Sequence, residues 1–165
     1  DQISCHYQTG KSLPDSLIKK MRNAKNFQAG LQLLRQLELS LFDFRLHLEF
    51  DPKKDYTQIQ ALLDKIRKRI NIIPVSPFNR FQHGFSHIFA GGYAAGYYSY
   101  LWAEVLSCDA FTKFLEDGIF NQETGQAFLQ SILEQGGAID AMELFKKFRG
   151  REPKIQAFLK SLDIE

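Results

Sequence analysis

From Phe27 to Leu48 the apolar residues Phe27, Leu31, Leu34, Leu37, Leu41, Phe44 and Leu48 recur every three or four positions, which marks one face of a helix. Leu33, Leu39, Phe42 and Leu46 put apolar surface on its other faces. A helix that is apolar on several sides has to be covered on several sides. This segment therefore commits the chain to helices packed around a helix. Its polar residues, Arg35, Glu38, Asp43, Arg45 and His47, then need partners or an edge facing water. Asn26 is a candidate cap for its start, and Phe50-Asp51-Pro52 ends it.

The rest of the chain carries the same period. Pro14 suits the start of a first helix, where its missing N–H would be unpaired anyway, and Leu17, Ile18 and Met21 share a face of it. Residues 55–70 form an amphipathic helix with Ile59, Leu62, Leu63, Ile66 and Ile70 on one side; Lys65, Arg67, Lys68 and Arg69 read as solvated surface on the other. Residues 71–82, with Pro74 and Pro77, are a connecting loop. A long helix is expected from about Ala94 to Leu115, ended by Gly118. Asn121 caps the next, through Gln135, with Phe128, Ile132 and Leu133 inward and Gly136-Gly137 as the stop. Met142–Phe148 is a short helix, and Pro153 opens a last one carrying Ile155, Phe158, Leu159 and Leu162. Residues 1–12 read as a loop. With no repeat and no convincing strand, the predicted class is all-α, with residues 1–165 as one helical unit.

With 165 residues the chain can bury a real core, and 15 phenylalanines make that core aromatic. A net charge of +2 gives no electrostatic argument for nucleic acid or an anionic membrane. No apolar run is long enough to span a bilayer. Cys5 and Cys108 imply no disulfide framework and fit free thiols in a reducing compartment, so a cytoplasmic setting is expected. The chain starts without Met and in mid-pattern, as a fragment of something longer would.

Chemistry concentrates in FSHIFAGGYAAGYYSYLWAEVLSCD, residues 85–109. His87 leads into Gly91-Gly92, and Tyr93, Tyr97, Tyr98 and Tyr100 follow. On one continuous helix, Tyr97, Tyr100, Glu104 and Cys108 would share a face, with Tyr93 a turn earlier and Tyr98 turned toward packing. Gly91 and Gly92 permit a tight hinge, and residues 83–92 are expected to be mobile. Neutral phenols donate hydrogen bonds at pH 7, so such a face suits an oxyanion. Aromatic stripes at helical spacing are more often core, and on spacing alone packing is the favoured explanation.

His83 and His87, four apart, form a weak metal pair: Gly84 discourages a helix between them and no third ligand is near. His87 as a donor facing substrate is the better idea. Neither cysteine has a base at motif spacing, and no phosphate loop or G-x-S-x-G elbow occurs. Asp43, Arg45 and Glu104 are candidates for buried polar pairing, while Arg149, Arg151 and Pro153 read as an ion-pairing turn and helix start.

The run FSHIFAGGYAAGYYSYLWAEVLSCDAF resembles the C-terminal signature of the thimet oligopeptidase and oligopeptidase A family of zinc metallopeptidases. HYQTG (6–10), AKNFQAGLQLLRQLELSLFDFRLH (24–47), GIFNQETGQAF (118–128) and MELFKKFRGREP (142–153) resemble the same family in the same order. The resemblance implies a mostly helical peptidase that cleaves short peptides in a deep channel. It further implies a zinc held by a helical His-Glu-x-x-His and a later Glu. No His-Glu-x-x-His occurs in this chain. The zinc ligands are therefore expected outside it, no metal is expected on this piece, and the piece alone is expected to be inactive.

By the family pattern, Tyr100 would donate to the oxyanion of the tetrahedral intermediate, and Tyr97 would bind substrate or the same oxygen. His87 would hydrogen-bond the peptide or the intermediate, and Tyr93, with Gly91 and Gly92, would close over the peptide. His6 and Tyr7 either approach the channel or pack. The expected partners are short peptides and the remainder of the peptidase, whose removal would leave apolar faces that self-associate. The alternative is a non-catalytic helical module that binds peptides or a protein.

Overall fold

Apolar residues at helical spacing are followed closely by helical backbone. In the computed structural model, whose described residues are 5–164, the chain forms α1 (Asp15–Lys25), α2 (Ala29–Glu49), α3 (Thr57–Ile70) and a 3₁₀ turn (Phe81–His83). There follow α4 (His87–Ala90), α5 (Ser99–Asp117), α6 (Gln122–Phe128) running into a π-helical turn (Leu129–Leu133), α7 (Ala141–Arg149) and α8 (Gln156–Ser161). Extended pairing among the described residues is one isolated bridge, Cys5 to Ser12. The fold is all-α. Residues 1–4 of the expected N-terminal loop lie outside the described residues.

Two apolar clusters organise the helices. The first joins Phe42 and Leu46 of α2, Leu63 and Ile66 of α3 and Ile88 of α4, with Phe81, Phe85 and Tyr97 packed against it. The expected inner face of α3 is therefore the face it buries. The second joins Ala110 of α5 to Phe145 and Phe148 of α7, flanked by Phe114, Phe128 and Ile132. Each fully buried side chain of this size contributes about 1.5–3 kcal/mol. Caps set the short C-terminal helices. The Asn121 side chain accepts from Thr124 N–H and the Asp140 side chain from Met142 and Glu143 N–H, supplying acceptors for first-turn donors.

The structure differs from the sequence expectations at several points, each with a local cause. Helix α2 starts at Ala29 because Gln28 sits in the left-handed region (φ 56°), so Asn26 ends α1 instead of capping α2. The Asn26 amide instead donates to Asp163, 2.6 Å away. Helix α5 starts at Ser99, five residues after the expected Ala94, because Ala95 is left-handed (φ 55°) and breaks the helical path. The π turn after α6 shifts the register by which residues face inward, and Leu133 is exposed. Arg67 is no surface cation. Its Nε donates to the buried Glu38 carboxylate at 2.9 Å, its Nη2 to Asn79, and its guanidinium lies over the Phe81 ring. Glu104 is exposed, and Arg45 pairs with the exposed Glu49, so of the three predicted buried pairings only that of Asp43 is observed.

Helix α2 is not covered on all sides by this chain. Leu41, Phe44 and Leu48 are exposed, and α1 buries no residue. Between α2, α5 and α8 lies an open apolar groove lined by residues including Leu37, Leu41, Phe44, Trp102, Phe158 and Leu159.

Candidate active-site face

The approach to α5 is built by a short helix, two glycines and a turn. Ile88, fully buried, anchors α4 in the first cluster, and this fixes the neighbouring His87. A Cβ on Gly91 would stand 2.7 Å from the His87 carbonyl oxygen and 2.8 Å from its ring Cδ2, so only glycine fits there. Gly92 takes φ 77°, which turns the chain back on itself. Tyr93 thereby returns to His87, ring centroids 4.6 Å apart, edge to face.

Tyr93, Tyr97, Tyr100 and His87 form one cluster. Tyr100 stacks on Tyr93 at 5.2 Å and meets Tyr97 edge-on at 5.2 Å. Tyr97 also contacts His87 (5.8 Å) and Phe85 (5.5 Å). The Tyr100 hydroxyl is 3.5 Å from His87 Nε2, a long contact. The predicted residues thus come together, but not as a helical stripe. Only Tyr100 is in α5; Tyr93 and Tyr97 belong to the turn before it. Glu104 and Cys108 take no part, and Cys108 Sγ instead lies 3.6 Å from the Ser161 hydroxyl. Tyr98, expected to pack, meets Phe44 edge-on yet stays half exposed at the groove.

The phenols differ in what their protons are doing. Tyr97 donates to Gln36 Oε1 at 3.1 Å, so its proton is engaged. Tyr100 is 41% exposed. The adjoining Tyr93 hydroxyl, then partial desolvation, then the neighbouring phenols' charge hold its pKa above the ordinary tyrosine value. It therefore remains a neutral donor at physiological pH.

The turn itself is held from α2. Asp43, fully buried, accepts the Ala95 N–H on Oδ1 and the Tyr97 N–H on Oδ2, both at 2.9 Å. His47 Nδ1 lies 3.0 Å from the same Oδ1. Asp43 was visible in the sequence only as an acid on an apolar helix. Its target lies more than fifty residues further on, and Gln36 carried no signal at all.

His83 ends the 3₁₀ turn and His87 opens α4, so the two do not share a helix. No group of three or more His, Cys, Asp or Glu among the described residues is placed to hold a metal.

Residues 1–164 match the model of peptidase family M3. The chain belongs to peptidase family M3. It is 56% identical over 163 residues to oligopeptidase A of Salmonella typhimurium, and 57% identical to that of Escherichia coli; each match covers 99% of this chain and 24% of the relative. It is 36% identical over 165 residues to saccharolysin of Saccharomyces cerevisiae, covering 23% of that protein. The chain thus spans about a quarter of the length of the curated relatives it matches. The family is zinc-dependent, and the residues of this chain do not fit a zinc site: it has no His-Glu-x-x-His, its His83 and His87 do not share a helix, and its described residues hold no three-ligand cluster. No helix of the described residues is long and apolar enough to cross a membrane.

Proposed function

We propose that this chain is the substrate-facing, oxyanion-stabilising part of a zinc-dependent oligopeptidase that hydrolyses short peptides. In this reading residues 1–165 are one helical unit of a larger catalytic domain, the metal ligands lie elsewhere in the protein, and the piece alone is inactive. The observation that carries it is Tyr100: an exposed, neutral phenol beside the His87 imidazole, at a turn that only glycine can make.

Amide hydrolysis concentrates negative charge on the former carbonyl oxygen. A donor held in place before the reaction stabilises that charge more than it stabilises the neutral carbonyl. Tyr100 takes this role. His87 hydrogen-bonds the peptide backbone beside it, and Tyr93, on the Gly91-Gly92 turn, closes over the peptide. Tyr97 lies in the same substrate-binding cluster; with its own proton on Gln36, it supports Tyr100. The remainder of the peptidase covers the apolar groove between α2, α5 and α8, and without it the isolated chain self-associates. A cytoplasmic setting goes with this reading and with the free thiols Cys5 and Cys108.

The test is Tyr100→Phe in the whole peptidase. The expected result is a fall in kcat of about 10²–10³-fold with little change in KM, because the donor acts mainly in the transition state. An unchanged kcat removes Tyr100 from the role.

A further inference from the structure

Helix α2 touches Tyr97 at two points. Asp43 holds its backbone N–H, and Gln36 accepts its phenol proton. These two residues are seven apart, two helical turns, and so lie on one face of α2. Tyr97 in turn is wedged between Phe85, His87 and Tyr100. No side chain at the start of α5 caps its own helix: Tyr98, at the capping position, makes no such bond. Order at the entry to α5 is supplied instead from α2, through the carboxylate of Asp43.

The backbone held there is unusual. Ala95, whose N–H donates to Asp43 Oδ1, is one of three non-glycine residues with positive φ among the described residues. A left-handed alanine costs about 1–2 kcal/mol and persists only where its surroundings fix it. The two N–H groups gathered by Asp43 flank Gly96 and fix the direction in which the Tyr97 ring leaves the turn.

We infer that Asp43 and Gln36 are positioning residues for the phenol face. Acting through Tyr97, they hold Tyr100 and His87 in register. The inference rests on the reading of Tyr100 given above. Neither residue needs to touch substrate. Asp43 is wholly buried and its two oxygens are both occupied by protein donors. Replacement by asparagine preserves shape but turns an NH₂ toward one of the two backbone N–H donors, so one bond is lost.

The experiment is a double-mutant cycle in the whole peptidase, pairing Asp43→Asn with Tyr100→Phe. If Asp43 acts through the phenol face, Asp43→Asn lowers kcat about tenfold or more when Tyr100 is present and less than about twofold when Tyr100 is already phenylalanine, with KM little changed. Equal losses in both backgrounds overturn the inference, because a merely structural lesion does not depend on Tyr100; so does no loss at all. If Tyr100→Phe itself leaves kcat unchanged, the reading of Tyr100 fails first, and the two failures are thereby told apart. Amide exchange gives a second readout. Asp43→Asn should release the Ala95 and Tyr97 amides while the interior of α5 stays protected; loss of protection throughout α5 overturns the inference. Should Asp43→Asn fail to fold, Gln36→Leu is read in the same cycle with the same two outcomes, since it frees the Tyr97 phenol without touching the buried carboxylate.

Discussion

Two of the buried carboxylates, Asp43 and Asp109, hold distant turns in place, and they do so with different partners. Asp43, on α2, gathers two backbone N–H groups and a histidine. Asp109, on α5, is gripped by both terminal nitrogens of Arg151 and by the Lys154 N–H, with Arg149 Nε 3.5 Å away. Each pins a distant turn to the middle of a helix: the turn before α5 in one case, the turn between α7 and α8 in the other. Asp109 is met by the guanidinium groups of Arg149 and Arg151, at the turn that joins α7 to α8. Asp43 is met mainly by neutral dipoles, on a turn that presents phenols. The same device thus fixes a structural corner strongly and a candidate site more lightly.

The largest effect that would sharpen this contrast is on stability at Asp109. Asp109→Ala strips Arg151, 32% exposed, and the Lys154 N–H of their acceptor while Arg149 keeps Glu116, and breaking such a pair costs about 3 kcal/mol, the low end for a buried one. Urea unfolding measures it, and a loss as small as that of a surface pair would break the comparison. The pH dependence has a definite sign. Burial by itself raises the Asp109 pKa, but the Arg151 bonds, the Lys154 N–H and the arginine charges outweigh it and hold the carboxyl below its ordinary value. A folded pKa below the unfolded one gives stability that is fully present above the unfolded value, near 3.9, and is lost as pH falls through the folded value. The difference between the parent and Asp109→Asn should therefore be full at neutral pH and shrink below about pH 4.

This contrast also shows what the sequence carried. Periodicity located the helices and the inner face of α3, because one face of a helix repeats within a few residues. The FRGREP turn was legible as ion-pairing, but its acceptor was not: Asp109 lies 42 residues before Arg151. Arg67 looked like surface because its neighbours Lys68 and Arg69 are surface; only the fold brings Glu38 and Phe81 to it. The Tyr93, Tyr97 and Tyr100 rings lie together although the continuous helix expected to align them, with Glu104 and Cys108, does not exist. The turn that replaces it, with Ala95 left-handed, returns the same rings to one place. No local signal announces such a turn at an alanine, since its stability is lent by Asp43 from another helix.

An intermediate effect belongs to Asp43. Asp43→Ala leaves the Ala95 and Tyr97 N–H groups without their acceptor, which should cost about 2 kcal/mol, less than the loss at Asp109 because no fixed charge is stranded. Unfolding of the two alanine variants side by side orders them, and a larger loss at Asp43 would reverse the ranking of the two staples.

The smallest effects lie in the backbone each staple holds. Gly150, which ends α7 just before Arg151, has φ 72°, and a Cβ there would meet no atom within 4 Å. Gly150→Ala thus adds strain without a clash, a loss of about 1 kcal/mol. Ala95 is the mirror case: it already has the Cβ and adopts φ 55° nonetheless. Ala95→Gly removes that strain but gives the unfolded chain more freedom, worth about 0.4–1 kcal/mol in the opposite direction, so the net gain should be under about 1 kcal/mol. Opposite signs at the two positions are expected, read as shifts in the urea midpoint at constant slope. A loss at Ala95→Gly would mean that the alanine methyl supports the turn by contact, and that Asp43 is not holding a strained backbone there.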